Sequence, residues 1–68
     1  MLTKNATRAL ANYGVKACRV AYDMHHRQGF GAAGIANEGP VELKTTRQAD
    51  SAINAGRELA ALDRAVWC

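Results

Sequence analysis

The sequence predicts an all-α protein: an antiparallel helical hairpin of two long helices, with a glycine-rich connection, dimerising into a four-helix bundle. Three observations predict it. Apolar residues recur at helical spacing across 3–28 and again across 45–67. Alanine supplies 14 of the 68 residues, against one Trp, one Phe and two Tyr, and so thin a core suits closely packed helices better than a β-sandwich or a ligand-enclosing barrel. The first helix also carries more apolar surface than one neighbour can cover. At this length the chain is one small helical domain, residues 1–68, and short chains of this kind often gain stability by oligomerising.

The first helix is read over 3–28. Thr3 is a suitable N-cap, because its hydroxyl can accept from an exposed backbone N–H one turn on. Two apolar stripes follow: Ala6, Leu10, Tyr13, Ala17, Val20 and Met24, then Ala11, Val15, Cys18 and Tyr22. Together they span roughly 240° of the helix surface, where one buried side normally takes about 180°. The second stripe is therefore the expected dimer or partner interface, unless Phe30 and Ile35 from the connection cover it. Gly14 interrupts the pattern at about 1 kcal/mol relative to alanine. Its expected benefit is close approach of another backbone, since Ala17, Cys18 and Ala21 continue a small-residue surface.

The connection, 29–44, holds Gly29, Gly31, Gly34 and Gly39 and the only proline, Pro40. Gly29 is placed to end the first helix in the left-handed conformation. Phe30, Ala32, Ala33, Ile35 and Ala36 have the pattern of one short helical turn folding back. Val41 and Leu43 alternate with Glu42 and Lys44, a pattern that also fits a short extended piece.

The second helix is read over 45–67. Thr45 and Gln48 form a capping box, in which each side chain satisfies a backbone donor of the other residue. Ala52, Ala55, Leu59, Leu62 and Val66 form the buried stripe, widened by Ala49, Ile53, Gly56 and Ala60. Arg47, Asp50, Asn54, Arg57, Glu58 and Arg64 occupy the opposite face, and Trp67 is expected to close the apolar seam beside Ala60 and Ile53.

Charge and motifs narrow the function classes. The net charge of +3, from nine Lys and Arg against six Asp and Glu, comes without a run of like charge. It fits an acidic protein surface, argues against mimicry of DNA, and gives nucleic acid a weak electrostatic footprint. The cations Arg8, Lys16, Arg19 and Arg27 follow the polar strip of the first helix and are the expected partner-binding residues. The N-terminus has no apolar leader pattern, and no apolar run approaches the length of about 20 residues that spans a bilayer. The expectation is a cytoplasmic protein with reduced thiols and no membrane partner.

No constellation suggests chemistry. Zinc needs Cys and His converging tetrahedrally. Cys18 and His25 share a face but stand about 10 Å apart along a helix axis, and an antiparallel return carries Cys68 away from both. His25 and His26 are better placed as cations at a helix C-terminus. The run Gly29-Phe30-Gly31-Ala32-Ala33-Gly34 follows a helix rather than a strand and lacks the Gly-Lys-Ser/Thr of a phosphate loop. The expectation is no catalytic residue, no metal, no cofactor, and not an enzyme.

The segment His26-Arg27-Gln28-Gly29-Phe30-Gly31-Ala32-Ala33-Gly34-Ile35-Ala36 resembles the start of helix-turn-helix units in transposase-like proteins. That resemblance implies a recognition helix opening Thr45-Thr46-Arg47-Gln48, residue types that contact bases and phosphates. The stretch from Pro40 to Lys44 makes the turn longer than in that motif, and Asp50 opposes phosphate. The leading expectation is a small non-enzymatic binding protein that modulates or inhibits a larger protein or nucleoprotein target by steric occupation, as do phage- or plasmid-borne anti-defence proteins of the anti-CRISPR type. The alternative is a small DNA- or RNA-binding regulator of helix-turn-helix kind.

Overall fold

Two of the glycines decide how the helices lie. The computed structural model describes residues 2–67, with side chains through Arg64. The expected roles of Val66, Trp67 and Cys68 lie outside the described side chains. Four helices form: α1, Lys4–Tyr13; α2, Val15–His26; α3, Ala32–Glu38; and α4, Thr46–Trp67. No strand occurs among the described residues, so the all-α class stands.

The helix read as continuous over 3–28 is broken at Gly14. That residue has φ 92° and ψ 155°, ending α1 through its N–H to the Leu10 carbonyl (2.9 Å) and starting α2 without a side-chain cap. Only glycine adopts this backbone at little cost. No neighbour stands where a Gly14 side chain would begin. The residue is needed for its conformation, and the close approach expected there does not occur.

The break changes the arrangement from a hairpin of two straight helices. Thr3 and Cys18 both reach the same turn of α4. The Thr3 N–H donates to Glu58 Oε1 (2.8 Å) and its hydroxyl to Oε2 (2.9 Å), while the Cys18 carbonyl lies against Gly56. One straight helix would hold residues 3 and 18 about 22 Å apart. The bend at Gly14 folds α1 and α2 back so that each packs on α4, which touches all three other helices.

The caps follow the sequence closely. Thr3 Oγ1 accepts from the Ala6 N–H at 3.2 Å. Gly29, at φ 77°, lets the Phe30 N–H reach back to the Met24 carbonyl (3.1 Å), a seven-residue closure one residue wider than the usual left-handed helix end. Thr45 Oγ1 accepts from the Gln48 N–H (3.1 Å), and Gln48 Oε1 accepts from the N–H groups of Thr45 (3.2 Å) and Lys44 (2.8 Å).

The short turn in the connection is the seven-residue α3, which buries Ile35 completely. The stretch after it is a turn rather than an extended piece. The Leu43 N–H bonds the Pro40 carbonyl at 3.0 Å, sending Leu43 inward to full burial and Val41 outward. Around Ile35 and Leu43 the core is mostly small: Ala6, Ala9, Cys18, Ala21, Ala49, Ala52, Ile53 and Ala55. Small side chains bring the helix axes close, and the backbone trace is only 14 Å through its thinnest direction.

Candidate functional site

The surface cations do not form one strip. The bend at Gly14 resets the helical phase, so residues aligned in the sequence pattern face different ways. Arg8 lies in a polar groove between α1 and α4, among Asn5, Asn12, Asp50, Asn54 and Arg57. Lys16 stands on the wall of a second groove, formed by α2 and the turn after α3. Arg19 and Arg27 share a third, between α2 and α4.

That third groove holds an ordered cluster of aromatic and charged side chains. Tyr22 and His26, one helical turn apart, stack with ring centroids 5.3 Å apart and planes 6° from parallel. Arg19 reaches Asp63 of α4 at 3.3 Å, and Arg27 reaches Asp23 on its own helix at 3.2 Å. Arg64 completes the rim, and Gly56 and Ala60 give a low floor. The space enclosed is about 290 Å³ and open to solvent. Three guanidiniums and two carboxylates leave a cationic excess. Sequence periodicity places Arg64 only on the polar face of α4. Its inclusion depends on the helix crossing, which periodicity does not encode. His25 is engaged differently: its Nδ1 donates to the Phe30 carbonyl at 2.9 Å and ties the helix end to the connection.

The four residues of the second apolar stripe are also divided. Cys18 is fully buried and Tyr22 half-buried, both against α4, whereas Ala11 and Val15 are exposed. The sequence pattern assigned α4 to the Leu10 and Val20 side and left Cys18 and Tyr22 to Phe30, Ile35 or a second copy. Gly56 changes this for α2: lacking a side chain, it admits the backbone of α2 and seats α4 on Cys18 and Tyr22, while Leu10 stays packed against the core. Val20, in turn, is left on the groove that faces the α3 end and Pro40.

Burial pushes the Cys18 thiol above its ordinary pKa, because a thiolate would lose its hydration there. In a Cys68→Ser background, Cys18 should react with a small disulfide reagent at least about a thousandfold more slowly than the same chain in denaturant, since labelling must await opening. The pH dependence has a fixed sign. The unfolded thiol ionises first, so stability attributable to this group is complete below about pH 8.5 and falls as pH rises towards the folded value, by at most about 1.4 kcal/mol per pH unit. Fast labelling of the folded chain at neutral pH would contradict the burial.

No cluster of three or more His, Cys, Asp or Glu positioned to hold a metal ion occurs among the described residues. No helix among them is long and apolar enough to cross a membrane. No family model, curated protein or solved structure matches the chain.

Proposed function

We propose that this chain is a small binding protein without chemistry of its own, which acts as a homodimer and occupies an acidic surface of a larger protein or nucleoprotein. The observation that carries this reading is the gathering of Arg19, Arg27 and Arg64 around the stacked Tyr22 and His26. Arginine and tyrosine dominate the energetics of protein interfaces, and guanidinium groups grip carboxylates through paired hydrogen bonds. Asp23 and Asp63 hold Arg27 and Arg19 in place in the free protein, yet both pairs are exposed. Exposed pairs contribute only about 0–1 kcal/mol, so a target's carboxylates can displace them at small cost. Steric occupation then follows from a folded helical face held against a surface that the target needs.

The nucleic-acid alternative has less to draw on. In the helix that would read bases, Thr45 Oγ1 and Gln48 Oε1 are engaged in the cap, leaving Thr46 and Arg47 exposed at its start. The test uses the tagged chain and an Arg19→Glu/Arg64→Glu variant in a quantitative pull-down, followed by an activity assay of the captured protein. An acidic protein enriched by the wild type, lost with the variant and inhibited by the pure chain supports the proposal. Equal capture by both chains overturns it. So does tight binding of random-sequence DNA that weakens steeply with salt, which would favour the nucleic-acid alternative.

A further inference from the structure

The groove between α2 and the turn after α3 combines three features that no part of the functional reading has used. Its walls are apolar: Val20, which is 36% exposed, and Met24 on one side, Pro40 on the other, with a volume of about 400 Å³. Val41, 80% exposed, does not line the groove itself but follows Pro40 and precedes Glu42, which do. The turn that buries Leu43 holds Val41 outward, and a β-branched side chain on a fixed backbone has little rotamer freedom to lose on contact. The charges are arranged by wall: Lys16 lies on the α2 side, Glu38 and Glu42 on the turn side, and none of the three makes an ion pair among the described residues.

We infer that this groove is the face on which two copies of the chain meet, an assignment that rests on the dimeric reading above and gives it a surface. A two-fold interface places a patch against its own copy, so the patch must complement itself. A uniformly charged patch would repel its twin. One with a cationic wall and an anionic wall does not: Lys16 of each copy meets Glu38 and Glu42 of the other, and Val41 of each enters the other's groove. The exposure of Val20 and Val41 gives the same direction, since no element among the described residues covers them. Nucleic acid is disfavoured as occupant by the carboxylates of Glu38, at the end of α3, and Glu42, on the turn.

The test is the molar mass in solution, by sedimentation equilibrium from about 1 µM to about 1 mM, a range that brackets dissociation constants of modest interfaces. The wild type should be a dimer in the upper part of that range. Val41→Asp should weaken association at least about a hundredfold, since it buries an unpaired charge at the centre of the contact. Lys16→Glu gives a patch with three acidic residues, and Glu38→Lys/Glu42→Lys gives one with three lysines. Each alone should weaken self-association about tenfold or more, and an equimolar mixture should form a heterodimer tighter than either parent. All these positions are on the surface, and circular dichroism checks that each variant folds. A wild type that is monomeric throughout overturns both the dimeric reading and this assignment, including the case where Val41→Asp abolishes capture of a different protein. A dimer indifferent to these substitutions overturns the assignment and leaves the dimeric reading standing.

Discussion

Gly56→Ala should lower the unfolding free energy by about 3 kcal/mol, although alanine is the better helix former. The added methyl would be driven into the Cys18 carbonyl oxygen and would stand 2.5 Å from Tyr22 Cβ. Neither atom is the far end of a flexible side chain, so neither can rotate away. Relief requires α2 and α4 to separate along their whole contact, which would loosen Cys18, Ala21, Ala52 and Ala55 together. Dispersion contacts in such a core fall off within an ångström, and alanine cannot extend to refill the gap. Helix propensity would return about 1 kcal/mol at this position. At roughly 0.05–0.15 kcal/mol per residue, a chain this small has little stability to lose. Urea unfolding followed by circular dichroism decides the matter through the sign of the change. A rise of about 1 kcal/mol would mean propensity wins and the helices do not touch here.

The same residue shows where sequence reading stops. Periodicity placed Gly56 on the inward face of α4, beside Ala52, Ile53 and Ala60. It could not say that the partner was Cys18 and Tyr22 rather than Leu10 and Val20. Face membership is a local property, set by 100° per residue, whereas the choice of partner depends on axis crossing and on the bend two helices away. Local chemistry was legible for that reason. The Thr3 cap, the reciprocal Thr45–Gln48 box and the left-handed Gly29 each close within seven residues and need no tertiary information.

The distribution of the cations was lost for the opposite reason. Arg8 and Lys16 lie on one strip if residues 3–28 are a single helix, but on different grooves once Gly14 changes the helical phase. Arg64 joins Arg19 and Arg27 only through the α2–α4 crossing. Alternation of Val41 and Leu43 with Glu42 and Lys44 would set both apolar residues on one face, yet Leu43 is buried and Val41 exposed. The cause is a tight turn, not an extended strand.

Gly14→Ala tests the bend itself and sets two effects against each other. The apolar pattern of 3–28 is compatible with one unbroken helix, and alanine favours that helix by about 1 kcal/mol. If the bent state persists, alanine must adopt φ 92° and ψ 155°, a backbone that costs a side-chain-bearing residue about 1–3 kcal/mol. If the helix straightens, Thr3 leaves Glu58, and Ala6 and Ala9, now buried against the core, lose α4. Burying apolar surface is worth about 25 cal/mol per Å², so stripping two alanines and the edges of Leu10 and Tyr13 costs at least as much as the propensity gained. Both routes lose, and the expected result is a destabilisation of about 2 kcal/mol without an increase in helicity at 222 nm. A variant that is more helical and no less stable would show that α1 and α2 prefer to fuse. In that case the second stripe, Ala11, Val15, Cys18 and Tyr22, would be realigned along one helix.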